Sequence, residues 1–192
     1  MDCCESVCVA SPFCCYGIWD TSCANLANQL CEGCLVRPVN DNCADSISIG
    51  EGDYPFRTIG ASTDGQPHAP CQFDDQTYND IWFDHYANCG GILRVSTCDQ
   101  AAYDTDLVVH DGCDCANMAF AACNDDDSSC TLVPFTSEVV IPATLNQCYK
   151  LRVGGFAAGN VGTGTLTVEC TCQNNSECPP GQLCMGGECV NP

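Results

Sequence analysis

The side chains of this protein that are best suited to chemistry are oxygen donors crowded into one cysteine-rich stretch. Between Tyr103 and Cys130 the sequence YDTDLVVHDGCDCANMAFAACNDDDSSC contains seven aspartates and four cysteines, and neither lysine nor arginine. Calcium takes about six to eight oxygens from carboxylates, amides and carbonyls. This stretch therefore provides one candidate calcium site, formed by Asp104, Asp106, Asn124, Asp125 and Asp126.

Two strands must bring these side chains together. If a strand at 106–110 and a strand near 118–122 form a hairpin, their outer ends place both groups of acids at one rim. The alternative is that the aspartates are ordinary solvated turn formers. The stretch does not match the EF-hand pattern D-x-[DN]-x-[DN]-G.

The cysteines, 22 among 192 residues, mark a disulfide scaffold. Disulfides persist in oxidising compartments, so we expect a secreted or cell-surface protein. Because Cys43 and Cys170 mark the two ends of the middle cysteine group, we expect them to pair. The cysteines fall into three groups of even number, and we expect each group to form its disulfides internally. The groups are Cys3, Cys4, Cys8, Cys14, Cys15, Cys23, Cys31 and Cys34; Cys43, Cys71, Cys89, Cys98, Cys113, Cys115, Cys123, Cys130, Cys148 and Cys170; and Cys172, Cys178, Cys184 and Cys189.

The net charge of −20 limits the partners of the protein. Nucleic acid and anionic membrane surfaces require clustered lysine and arginine, so neither is an expected partner. No apolar run approaches the ~20 residues of a membrane span, so we expect no membrane insertion. The chain opens on MDCCESVC without a signal peptide, and we expect the targeting segment of a secreted protein to lie outside this sequence.

The cysteine groups predict three modules, at residues 1–36, 39–170 and 171–192. The first is predicted to be a small helical module: Ser11 and Pro12 suit the start of a helix, and Trp19, Cys23, Leu26 and Leu30 recur at helical spacing. The last, with four cysteines among Pro-Pro-Gly and Gly-Gly turns, is predicted to be a short cysteine-rich knot or a lightly ordered tail.

The middle module is predicted to be an antiparallel, jelly-roll-like β-sandwich, which makes the whole chain mainly β. Its predicted strands are bounded by Gly, Asp or Asn and occur in SISI, NDIWFDHYA, GGILRVSTC, TDLVVHDG, SEVVIPA, QCYKLRVGGF and GTGTLTVEC. In QCYKLRVGGF, alternation predicts that Tyr149, Leu151 and Val153 face the core and that Lys150 and Arg152 face water.

In this order, the stretches NDNCADSISIG, NDIWFDHYANCGGILRVSTC, YDTDLVVHDGC, ACNDD, CYKLRVGGF and GTGTLTVEC resemble the pre-peptidase C-terminal-like domains of secreted bacterial proteins, over about residues 39–170. The stretch CCESVCVASPFCCYGIWDTSC resembles a cysteine-rich module found before such domains in bacterial surface proteins, and SECPPGQLCMGGECV resembles the cysteine-rich knots of secreted proteins. The resemblance implies a jelly-roll-like sandwich that assists other activities by binding matrix or polymer or by building surface structure, and that is not catalytic.

The resemblance also implies a second candidate calcium site. Some members of the family bind calcium through the segment that enters the domain and through acids that precede an early strand. The matching residues are Asn40 and Asp41 at the entrance and Asn79 and Asp80 before IWF. The upstream glutamates of the family are absent from this sequence.

The sequence gives little support for a catalytic function. The three histidines, His68, His85 and His110, accompany no GxSxG motif. The CxxC spacing of Cys31 and Cys34 lacks a βαβ context, and an oxidising compartment removes the thiolates that zinc or redox chemistry would need. We therefore expect structural disulfides and no enzyme activity.

The sequence thus predicts an extracellular structural or adhesive module, calcium-stabilised, that self-associates into a homopolymer as a surface or filament subunit. The alternative is a carbohydrate- or matrix-binding accessory domain of a larger secreted enzyme. In that case a sugar-stacking face could come from Tyr78, Trp82, Phe83 and Tyr86, although core packing is the better reading for Trp82.

Overall fold

The structure, a computed structural model, describes residues 3–16, 22–23, 26–27 and 37–192. The chain forms two compact units, Met1–Arg37 and Pro38–Pro192. No helix among the described residues is long and apolar enough to cross a membrane.

The first unit is helical where it is described. Helix α1 spans Cys3–Ala10 and helix α2 spans Phe13–Tyr16, directly after the predicted Ser-Pro start. Its small core contains Val7, Cys14, Cys23 and Ala27. The positions of Trp19 and Leu30 lie outside the described residues.

The second unit is a β-sandwich, so the mainly β fold is confirmed. Its strands are β1 (Ile47–Ile49), β2 (Gly52–Arg57), β3 (Tyr78–Tyr86), β4 (Ile92–Ser96), β5 (Thr105–Asp111), β6 (Ala119–Asn124), β7 (Glu138–Pro142), β8 (Cys148–Gly155), β9 (Thr163–Thr171), β10 (Leu183–Met185) and β11 (Glu188–Val190). One sheet has the order β1-β3-β8-β5-β6, the facing sheet has the order β2-β9-β4-β7, and β10 pairs with β11. The pairings are antiparallel except between β1 and β3, which are parallel.

The hydrophobic core lies between the two larger sheets, as alternation requires. Leu166, Val168 and Cys170 of strand β9 face inward, as the alternation of GTGTLTVEC predicts. Other buried side chains of this core are Ile81, Phe83, Leu93, Val95, Leu107, Val109, Val139, Ile141, Tyr149, Leu151 and Val153. Cys172 and Cys178 of the last cysteine group are buried in the same cluster, and Gly90 N donates to Glu177 O at 2.6 Å.

The prediction that Lys150 and Arg152 face water is wrong, because both side chains are almost fully buried. Strand β8 lies in the middle of its sheet, and the loop at 58–77 and the 3-10 turn Cys43–Asp45 contribute groups that cover its outer face. Lys150 Nζ lies 2.7 Å from Asp84 Oδ1 and donates to Ser46 Oγ at 2.8 Å. Arg152 Nε donates to Asp80 Oδ2. The outer face of the sheet is therefore a second buried layer, held by paired charges.

The disulfides of the described residues join cysteines of the same group. The bridges are Cys8–Cys15, Cys14–Cys23, Cys43–Cys115, Cys71–Cys123, Cys89–Cys170, Cys98–Cys130, Cys113–Cys148, Cys172–Cys184 and Cys178–Cys189. The pairing of Cys3, Cys4, Cys31 and Cys34 lies outside what the structure describes.

The expected bridge between Cys43 and Cys170 is wrong. Cys43 precedes β1, which lies at the edge of the five-stranded sheet, whereas Cys170 lies near the end of β9 in the facing sheet. Cys43 therefore bonds to Cys115, beyond the end of β5, and Cys170 bonds to Cys89 beside the start of β4.

Candidate functional site

The four entrance residues that were expected to bind calcium serve as hydrogen-bond partners for other segments. Asn40 Nδ2 donates to Trp82 O at 2.9 Å, and the carboxylate of Asp41 accepts from Ser62 N at 2.5 Å and from Ser62 Oγ at 3.0 Å. Both entrance side chains belong to buried residues. Their oxygens thus fix the covering loop to the edge of the sandwich.

The other two entrance residues are used in the same way. Asn79, with a φ of 50°, donates through Nδ2 to Ala61 O at 2.8 Å and accepts from Gly159 N at 2.9 Å. The carboxylate of Asp80 accepts from the amides of Asp64 and Gly65 and from Arg152. The structure therefore gives each entrance side chain a partner within the protein.

Three aspartates of the other candidate set do come together. Strands β5 and β6 form the expected hairpin, with Leu107 opposite Asn124. Asp104 precedes β5, and Asp125 and Asp126 follow β6, so all three lie at one end of the hairpin. One carboxylate oxygen from each lies within 4.8 Å of those of the other two.

Asp106 and Asn124, the remaining members of that set, point elsewhere. Asp106 Oδ2 accepts from Thr77 Oγ1 at 2.5 Å in the buried layer outside the sheet. Asn124 Oδ1 accepts from Glu138 N at 2.9 Å, and its Nδ2 donates to Gln72 Oε1 at 3.2 Å. Asn124 therefore positions the turn that carries the aspartates.

Gln72 fixes the turn that presents Asp125 and Asp126. Its Oε1 accepts from Asp125 N at 2.7 Å and from Asp126 N at 3.1 Å, and its Nε2 donates to Asp126 O at 2.6 Å. The disulfide between Cys71 and Cys123 lies beside this contact. The four cysteines between Tyr103 and Cys130 do not bond to one another; each is joined to a cysteine outside that stretch, so the bridges tie the hairpin to neighbouring segments.

The carboxylates of this cluster repel one another where water is partly excluded, because Asp125 is buried and Asp104 and Asp126 are partly buried. Burial, followed by the charges of Asp106, Asp104 and Asp126, raises the pKa of Asp125 to about 7. Burial and the charge of Asp126 raise the pKa of Asp104 to about 6, and burial raises the pKa of Asp126. These directions indicate a site that lacks a positive charge.

The oxygens of the cluster are also short of partners. Asp125 is only 3% exposed, and its Oδ1 has no hydrogen-bond partner among the described residues. The same holds for Oδ1 of Asp126 within that part of the chain. Buried polar atoms are nearly always hydrogen-bonded in native proteins, so the unpartnered, converging carboxylate oxygens make this cluster a candidate cation site.

These aspartates line a cavity of about 200 Å³ whose other walls are aromatic. The rings belong to Phe73, Phe135 and Phe156. We call this cavity, with the three aspartates, the aspartate pocket. Its phenylalanines and Gln72 were not predicted from the sequence, in which the only signal is that Gln72 and then Phe73 follow Cys71.

The histidines and the expected sugar-stacking residues lie mostly inside the protein. Trp82 is 1% exposed and lies in the buried layer outside the sheet, with the Arg152 guanidinium over its ring, whereas Phe83 is 4% exposed and belongs to the hydrophobic core. Neither ring can therefore stack on a sugar. Tyr86 remains exposed and Tyr78 is partly buried. Burial lowers the pKa of His110 to about 4, and burial also lowers the pKa of His85.

Comparison with solved structures finds distant similarities. No family model and no curated protein matches the chain. The pre-peptidase C-terminal domain of collagenase from Bacillus anthracis is 16% identical, with a TM-score of 0.40, over 65% of this chain and 94% of that chain. CorA, a surface-associated copper-binding protein important in copper acquisition by Methylomicrobium album BG8, is 10% identical, with a TM-score of 0.41, over 65% of this chain and 98% of that chain. The first is the kind of domain that the sequence resembles.

Proposed function

We propose that this chain is an extracellular structural or adhesive module, a disulfide-stapled β-sandwich that holds calcium in the aspartate pocket. The density of disulfides supports the extracellular part, because thiols in reducing compartments stay unpaired. The cation supports the fold by joining the start of β5 to the end of β6.

One observation carries the calcium proposal: the carboxylates of Asp104, Asp125 and Asp126 converge, and an oxygen of the buried Asp125 has no partner within the described residues. Three carboxylates that bind in a bidentate way supply up to six oxygens, which is within the range that calcium accepts. Their combined negative charge favours a divalent ion over a monovalent one.

Calcium is expected to raise the melting temperature of the protein, whereas magnesium at the same ionic strength raises it little. A ligand that binds only the folded state stabilises it by about 2.7 kcal/mol at a hundredfold excess over Kd, or ~5–10 °C for a chain of this size. Magnesium demands a near-ideal octahedron and accepts irregular sites poorly. Calorimetric or fluorescence melting with each ion measures the difference.

Four variants locate the effect. Asp104→Asn and Asp125→Asn should abolish the calcium shift, whereas Asp75→Asn, which removes one exposed negative charge outside the pocket, should keep it. If only Asp41→Asn abolished the calcium-dependent rise in melting temperature, the ion would bind at the entrance residues instead. Equal shifts with calcium and magnesium in every variant would leave the three aspartates as a charged surface without a specific ion.

Self-association into a homopolymer is part of the proposal. Its support is the exposure of large apolar side chains in the second unit: Leu132 is 82% exposed, and Val140, on β7 at the edge of the four-stranded sheet, is 56% exposed. Binding of polysaccharide or matrix is the alternative. Electron microscopy of the purified chain separates fibres from single particles, and the latter can be tested for retention on polysaccharide.

A further inference from the structure

Phenylalanine rings make the aspartate pocket more than a cluster of acids. Phe73 is 65% exposed and Phe135 is 56% exposed. The rings of Phe73 and Phe156 meet edge to face, with centroids 6.1 Å apart and an angle of 81° between their planes. Exposed aromatic rings that surround a cavity are typical of a binding site, because an apolar ring that contacts no ligand is more stable when it is buried inside the protein.

Phe135 is held in an unfavourable backbone conformation beside the carboxylates. Its φ is 74°, a left-handed value that bulky side chains rarely adopt. Phe135 O accepts from Thr105 N at 2.9 Å. The preceding loop is fixed by the disulfide between Cys98 and Cys130 and by Asp99, whose carboxylate accepts from the amides of two loop residues at 2.7 Å. Strain of this kind persists at binding sites, where it keeps a ring in place.

The two kinds of wall select the chemistry of the ligand. A bare metal ion needs oxygen ligands and makes no use of phenylalanine. An organic cation uses both walls: its charge contacts the carboxylates, and its methylene or methyl groups contact the ring faces, where the π-electrons also attract the charge. An alkylammonium group is the simplest ligand with these two parts.

A second copy of this chain is a poor source of that cation. Of its five basic residues, Lys150 and Arg152 are buried, and Arg94 forms ion pairs with Glu138 and Glu169. The other two, Arg37 and Arg57, also have partners. The ligand is therefore expected to come from a different molecule.

We infer that the aspartate pocket binds a primary or methylated alkylammonium group, with the carboxylates of Asp104, Asp125 and Asp126 around the nitrogen and the three phenylalanine rings around its carbon atoms. This inference rests on the proposed function in one respect, because both require the pocket carboxylates to bind a cation. Calcium and the alkylammonium group therefore compete for the same oxygens.

The test is an NMR titration of the calcium-free, nitrogen-15-labelled chain at pH 8 with n-butylammonium and tetramethylammonium chloride. Sodium chloride at equal ionic strength is the reference. Saturable shifts are expected at the amides of the pocket residues, and calcium should reverse them. Phe73→Ala is expected to weaken binding about 3-fold and Asp125→Asn about 10-fold or more. Phe13→Ala, which removes an exposed ring of the first unit, should change nothing.

Two further probes identify the source of the group. A capped tripeptide with a central lysine that binds more tightly than n-butylammonium assigns the pocket to a lysine of a partner polypeptide, and the reverse order assigns it to a free amine. The same peptide with acetylated lysine should not bind. The inference is overturned if no ammonium probe gives shifts beyond those of sodium chloride. In that case an intact calcium-dependent melting shift would leave the proposed function standing.

Discussion

Replacing Arg152 by methionine is expected to remove about 3–5 kcal/mol from the free energy of unfolding, because the buried carboxylate of Asp80 loses its counter-charge. Both side chains are 0% exposed. The guanidinium also donates to backbone oxygens of Gly65, Gln66 and Thr77, and methionine would leave these acceptors in the covering loop without their donor. Arg152 thus holds the loop at 58–77 on the sheet.

Chemical denaturation with the disulfides intact measures this loss, and Arg94→Met is the matched control. Arg94 also forms two ion pairs, with Glu138 and Glu169, but its side chain is 35% exposed. Exposed pairs contribute only about 0–1 kcal/mol, so this variant should lose little. If Arg152→Met lost no more stability than Arg94→Met, the buried layer would not depend on its ion pair.

Asp125→Asn is expected to make the calcium-free protein more stable than the wild type at pH 8, by on the order of 2 kcal/mol. In the folded state the pKa of Asp125 is raised from 3.8 to about 7. Between these two values the unfolded chain ionises while the folded chain keeps the proton, so the contribution of this residue to stability falls as pH rises. Asparagine has no charge and escapes this loss.

The expected dependence on pH distinguishes this effect from a general gain. At pH 4 Asp125 keeps its proton in the folded state, so the two proteins should melt at nearly the same temperature; at pH 8 the variant should melt ~4–8 °C higher. The lowered pKa values of His85 and His110 act in the opposite direction, but they are common to both proteins and cancel in the difference. Asp75→Asn should show no such trend. A variant that is less stable than the wild type at pH 8 would contradict the account.

The strands of the sandwich were predictable because each carries its own signal. Alternation in GTGTLTVEC identified the inward side chains of β9, and the turn residues that bound TDLVVHDG identified β5. The hairpin of β5 and β6 was a conditional expectation for strands at 106–110 and near 118–122, and in the structure its end brings Asp104 to Asp125.

The outer face of β8 was not predictable from alternation. A lysine and an arginine at alternate positions normally indicate solvent, and the segment that covers them, at 58–77, has no periodic pattern of its own. Gln72 and Phe73 lie in the same segment, which explains why the walls of the pocket were missed as well. Disulfide partners also depend on how the sheets fold, so Cys43 could not be matched to Cys115 from the sequence.

The most direct test of the calcium site is a crystal structure of the protein grown with calcium at pH 8. The account predicts one ion within ~2.3–2.6 Å of carboxylate oxygens from Asp104, Asp125 and Asp126, with water or backbone oxygens completing its coordination. An ion bound by Asp41 or Asp80 at the entrance, or an aspartate pocket that holds no ion at saturating calcium, would contradict it.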